Sequence, residues 1–227
     1  QCDIYNRSNN VSSAEGFRLC SGANTSIRPD VFMKPFEYAI VTDSEYAGLF
    51  QFVENVLAIE GFFNLSNSGD DILLRNSSGD AIHFVAYLDS WYRDAERNDG
   101  GYSLEMINSN DPCLDAENWM ASRSLSGGTP GFKNSVSHDS SDTPIAQLLF
   151  AYPRAADTIV LRFDRRPGLK IDQLNRINIR DAEVKSLLSN PLRPNELILV
   201  LKDSLLPQTN YILTLEPGFQ DCIGMVT

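Results

Sequence analysis

Histidine is nearly absent from this chain. Its 227 residues include two, His83 and His138. Nucleophilic hydrolysis needs a base, usually histidine, within hydrogen-bond reach of the nucleophile. His83 falls in a strand-like run, where an outward position is expected, and His138 in a polar connector. Gly-x-Ser-x-Gly, Gly-x-Gly-x-x-Gly and the Walker phosphate loop are missing too. No catalytic constellation is therefore expected, and the chain reads as non-enzymatic. Basic residues are also scarce, 19 against 30 acidic, for a net charge of −11. A nucleic-acid partner is excluded on that ground, because phosphate binding needs clustered Lys and Arg. No apolar run approaches the ~20 residues of a membrane-spanning helix. Gln1–Tyr5 reads as the interior of a strand rather than as a leader.

What is present is enough to fold. Hydrophobic residues make up 42% of the chain, too many for wholesale disorder. The charge is uneven. Residues 1–136 hold 19 acidic and 9 basic residues, and residues 137–227 hold 11 and 10. Between them, residues 135–144 are small and polar and end at Pro144. Two domains are expected, 1–136 and 144–227, joined by a linker at 137–143.

Both regions read as all-β. In the first, Cys2–Asn6, Gly16–Cys20, Glu37–Thr42 and Tyr102–Ile107 are strand candidates. Asp71–Arg75 and Ala81–Tyr87 flank a hairpin loop at 76–80. One helical turn is expected after Ser44 as cap, running to Phe50. In the second, Thr158–Phe163, Arg176–Arg180, Glu196–Lys202 and Tyr211–Leu215 are strands, spaced as in a β-sandwich. Leu169–Leu174 reads as one helical turn.

The motifs add a likeness. Asp3-Ile4-Tyr5-Asn6-Arg7-Ser8, Gly16-Phe17-Arg18-Leu19 and Asn67-Ser68-Gly69-Asp70-Asp71-Ile72-Leu73-Leu74 come first. Gly101-Tyr102-Ser103-Leu104-Glu105, Asn118-Trp119-Met120-Ala121-Ser122 and Gly127-Gly128-Thr129-Pro130-Gly131 follow. In this order they resemble the bacterial lamin-tail domain, an immunoglobulin-like β-sandwich. Thr158–Phe163, Asn210-Tyr211-Ile212-Leu213-Thr214 and Asp221-Cys222-Ile223-Gly224 resemble a bacterial Ig-like domain of surface and secreted proteins. The resemblance implies two Ig-like sandwiches in tandem. It also implies a Gram-negative setting, in the cell envelope, at the outer surface or secreted. The first family begins with a strand before Asp3, and the second continues into a strand after Gly224. Strands Cys2–Asn6 and Tyr211–Leu215 are thus expected to present open edges and to self-associate.

The implied role is non-catalytic: adhesion, spacing or display, with a protein or glycan partner at the cell surface. Two alternatives stand beside it, an accessory module of a secreted hydrolase and a carbohydrate-binding module. An exposed row of parallel aromatic rings would mark the last, and Trp91, Tyr92 and Tyr102 are the aromatics that suggest it. The structural residues expected to matter are Trp119, which anchors a loop, and Gly127, Gly128, Thr129, Pro130 and Gly131, which form tight turns. Cofactors are not expected, but calcium is a candidate ligand of the oxygen-rich loops 94–99 and 111–117. The basic group Arg162, Arg165, Arg166, Lys170, Arg176 and Arg180 alternates with aspartates and reads as surface ion pairs. The four cysteines, Cys2, Cys20, Cys113 and Cys222, allow three pairings. Cys2–Cys20 would join the first two strands, but Cys2 shares a face with Ile4 while Phe17 and Leu19 lie opposite to Cys20, so that bond needs a bulge or an outward register; free buried thiols are the alternative for each pair. The Ig-like resemblance places Cys222 toward the first domain, so that Cys113–Cys222 would join the domains.

Overall fold

Strands account for 39% of the protein and helix for 9%, in several small sheets, which makes it all-β. The computed structural model describes residues 1–13, 15–21, 23–26, 32–79, 81–138, 146–168, 171–190, 193–217, 219 and 222. The chain forms two compact units. One comprises residues 1–110 and 116–140, the other residues 111–115 and 141–227. Residues 139–143 of the expected linker lie outside the described residues. Ser137 and His138 bond back to Asn134 and Ile107 of the first unit. The five-residue excursion 111–115 differs from the expected unbroken first domain.

The first unit contains β1 (Cys2–Tyr5), β2 (Ser12–Ser13), β3 (Arg18–Ser21), β4 (Ala23–Ser26), β5 (Phe32–Met33), β6 (Tyr38–Asp43), β7 (Val56–Ile59), β8 (Gly69–Arg75), β9 (Ala81–Leu88), β10 (Leu104–Met106) and β11 (Trp119–Ala121). Its larger sheets have the orders β1-β6-β7 and β4-β3-β8-β9. The apolar run Ala39-Ile40-Val41 explains the central place of β6, since all three residues are fully buried. Leu19, Met33, Ala39, Val41, Leu57 and Phe62 form the core, with Ile4, Ile72 and Leu74 packed against it. The helical turn after β6 is a 3-10 helix, Ala47–Phe50, and no side chain caps it. Asp43, not Ser44, organises this bend by accepting the N–H groups of Glu45 and Phe62.

Register decides two questions here: it overturns the outward placement expected of His83, and it leaves the Cys2–Cys20 pairing unformed, as alternation of the two strands indicated. His83 lies opposite Leu74, which lies opposite Leu19. Residues opposite each other in a sheet share a face, so His83 is half-buried on the core side instead of outward. Cys2 and Cys20 are not bonded to each other. They stand in different sheets, on β1 and β3. Cys2 packs toward the core, whereas Cys20 alternates with the buried Leu19 and faces the other way. Burial, and next the charge of Asp3, push the Cys2 thiol up to about 12.

The second unit contains β12 (Leu148–Ala155), β13 (Thr158–Phe163), β14 (Ile177–Ile179), β15 (Val184–Ser189), β16 (Glu196–Leu201) and β17 (Leu213–Leu215). A four-stranded sheet, β12-β13-β16-β15, packs on the pair β14-β17. Ile159, Leu161, Phe163, Leu197, Leu199 and Leu201 from the large sheet meet Ile177 and Ile179 in one core. A 3-10 helix spans Ile171–Arg176. Neither β12 nor β15 was expected from the sequence. β1 and β17 each pair with a single strand among the described residues, β6 and β14 respectively.

Candidate functional site

In the first unit the polar chemistry converges on Glu105, in the middle of β10 and 3% exposed. Its Oε1 accepts from Thr129 Oγ1 at 2.8 Å and from Ser103 Oγ at 3.4 Å. Its Oε2 accepts from Ser135 N at 2.8 Å and Ser135 Oγ at 2.7 Å. Ser135 Oγ also accepts the N–H of Arg123 at 2.7 Å. A buried carboxylate must be solvated by the protein itself, and here the loop 122–135 supplies the donors. Glu105 was not among the expected site residues. Its signal in the sequence is an acid flanked by Leu104 and Met106 in a strand that is otherwise apolar.

The glycines of this loop explain how it comes so close. Gly127 has φ +80° and a Cβ there would stand 1.9 Å from Gly101 O, while one on Gly131 would stand 2.6 Å from Val53. Thr129-Pro130-Gly131-Phe132 is a turn closed by Phe132 N to Thr129 O. Proline at its second position and a positive φ at its third are what a type II turn requires. Gly131 N also donates to Asp3 Oδ2 at 2.9 Å. Trp119 opens β11 opposite Met106, half-buried. The firmer anchor is its neighbour Asn118, 1% exposed, whose side chain exchanges two hydrogen bonds with the Asn108 backbone.

The same turn displays an aromatic face. Phe132 (54% exposed) and Phe52 (61% exposed) lie with ring planes 4° apart and centroids 6.2 Å apart. Phe50 joins at 6.3 Å, tilted, and Leu49 stands exposed in the adjoining 3-10 helix. These were not the expected aromatics. Trp91 and Tyr92 are half-buried, and Tyr92 Oη donates to Tyr102 O at 3.2 Å. Arg97 lies over the Tyr102 ring.

In the second unit the excursion 111–115 forms a clasp. Cys113 and Cys222 are bonded, with Cα atoms 5.6 Å apart. Arg166 N donates to Cys113 O, and Cys222 N donates to Arg166 O. On either side, Arg165 pairs with Asp111 at 2.5 Å and Arg166 with Asp115 at 2.7 Å. The Asp111 and Arg165 side chains are 3% and 7% exposed, so this is a buried pair and not the surface pair expected. Lys170 lies outside the described residues. Arg162 and Arg193 converge with Asn190 Nδ2 on Glu196, 2% exposed. Burial opposes ionisation of Glu196, but these donors outweigh it and hold the carboxyl below its usual range.

The two calcium-candidate loops spend their oxygens locally. Asp94 caps the short helix Ala95–Asn98 and pairs with Arg97. Asp111 and Asp115 are held by the arginines just described. Among the described residues no three His, Cys, Asp or Glu side chains gather as metal ligands. Together these features define an all-β protein with a disulfide-anchored clasp in one unit and a loop-built aromatic face in the other. No family model matches the chain, and no curated protein or solved structure is detectably similar to it.

Proposed function

We propose that this chain is a non-catalytic module for adhesion, spacing or display in a bacterial cell-envelope or secreted protein, with a lamin-tail-like sandwich followed by an Ig-like one. The Cys113–Cys222 disulfide carries the reading, because such bonds persist in oxidising compartments and not in the cytosol. The junction of two motif elements supports it: Glu105 of Ser103-Leu104-Glu105 holds Thr129 of the Gly-Gly-Thr-Pro-Gly turn. The test is fractionation of the native host followed by non-reducing peptide mapping. The peptide joined through Cys113 and Cys222 is expected in envelope or medium fractions. Recovery in the cytosol with both thiols reduced would refute the proposal.

One observation favours a second reading, glycan binding. Phe52 and Phe132 offer the exposed, parallel ring pair on which apolar sugar faces stack. Affinity electrophoresis in gels carrying soluble polysaccharides checks it: retardation that Phe52→Ala and Phe132→Ala each abolish supports the reading, and unretarded wild type rejects it.

A further inference from the structure

The strand β12 is unlike every other strand of the second unit. It stands at the edge of the four-stranded sheet, and seven of its eight residues, Leu149 to Ala155, are exposed. Three are large and apolar: Leu149 (57%), Phe150 (50%) and Tyr152 (37%). Among the described residues it pairs with β13 alone, which is buried along most of its length. By register Ala151 lies opposite Leu161 and Pro153 opposite Ile159. Leu161 and Ile159 belong to the core, yet Ala151 and Pro153 are exposed. The core face of the sheet therefore runs into solvent at β12. On the other face the row Tyr152, Val160, Ile198 and Leu188 continues the apolar surface. Proteins normally blunt such an edge with charge, bulges or brevity. β12 has a register shift at each end, between Leu148 and Phe150 and between Pro153 and Ala155, and carries Pro153 and Arg154, but between the shifts Phe150–Pro153 keeps continuous register and carries no charge.

We propose that β12 is a self-association edge, along which two copies of this chain pair antiparallel with the two-fold axis at Ala151. Charge selects the occupant. Two copies repel chiefly through residues 1–136, which hold 19 acidic and 9 basic residues, whereas residues 137–227 hold 11 and 10 and are nearly neutral. Residues 143–153 contain no charge at all, so a second copy approaches here at the least electrostatic cost. Proline selects the register. An edge-strand proline turns its ring nitrogen away from the ladder, so Pro153 faces outward. Ala151, two residues earlier, then turns its N–H and C=O outward as well. A two-fold axis at Ala151 lets the two copies exchange both of these hydrogen bonds. Phe150 and Tyr152 of each copy lie side by side on one face of the joined sheet. The proposal is independent of the adhesion and glycan readings.

The test is sedimentation velocity of the full chain from ~1 to ~200 μM, a range that spans weak and transient association. A reversible dimer is expected. Ala151→Lys and Ala151→Glu each set like charges against each other across the axis and should weaken the dimer by about fivefold or more. Mixing the two variants should restore association, as no folding defect could. Leu125→Lys, on the first unit, should leave it unchanged. A chain that stays monomeric over the whole range overturns the proposal. So does a dimer that survives both Ala151 variants, or one that mixing fails to restore.

Discussion

Replacing Glu105 by alanine tests the Glu105-centred network. The substitution strands three donors, Thr129 Oγ1, Ser135 N and Ser135 Oγ, that now reach the carboxylate at 2.7–2.8 Å. A hydrogen bond to a charged group contributes about 1.5–3 kcal/mol net. Burying the carboxylate at 3% exposure offsets part of the sum. A loss of about 3–4 kcal/mol follows, large for one substitution. Trp91 and Trp119 are the only tryptophans, and both lie in the first unit. Urea unfolding followed by tryptophan fluorescence therefore reports on this unit alone. Thr129→Ala should cost about 1 kcal/mol, the scale of a single hydrogen bond. Adding it to Glu105→Ala should cost almost nothing more, because the two share one network. If Glu105→Ala shifts the tryptophan transition by less than about 1 kcal/mol, the carboxylate is not what holds the loop down.

Three further outcomes are expected. Cys113→Ser should lower the melting temperature seen by calorimetry, by the equivalent of about 2–5 kcal/mol, since the bond spans a sequence separation of 109; an unchanged transition would argue against the bond. Glu196 has its carboxyl pKa lowered in the folded state, so its stabilising share is present above its ordinary value of 4.5 and is lost as pH falls through the depressed folded value. Glu196→Gln should flatten that acid limb in pH-dependent unfolding, and an identical limb would contradict the assignment. In a gel shift at ~150 mM salt, duplex DNA should run free of this acidic chain, and a micromolar complex would count against the electrostatic argument.

The strands legible in the sequence are those with a buried face to write a period. Ile177 and Ile179 lie buried on one side of β14, and β13 and β16 carry the apolar runs of the core. β12 has no such face, so its residues show no alternation, and Pro153 argues against a strand. In β7 Leu57 alone is fully buried, which is too little signal over four residues. Asp94 and its neighbours look like cation ligands because capping and coordination ask for the same side chains. The motif Gly127–Gly131 announced a turn, but not that Glu105 lay beneath it. Phe52 and Phe132 are 80 positions apart in the sequence, and nothing local announces that their rings lie parallel. Cys113–Cys222 was legible only through the Ig-like likeness.

The clasp also sets an order of events during biosynthesis. Residues 111–115 leave the ribosome while Arg165 and Arg166 are still about fifty codons away, and Cys222 is 109 residues behind Cys113. The first unit can close its β10–β11 pair around this short strap long before the strap has anything to hold. Until Arg165 appears Asp111 remains hydrated, and until Cys222 appears Cys113 is a waiting thiol, open to any oxidant or other cysteine it meets. Oxidation of the pair thus follows the formation of both units and seals what has already folded. The rate at which mature protein accumulates should follow the supply of disulfide exchange catalysts more closely than the rate of translation.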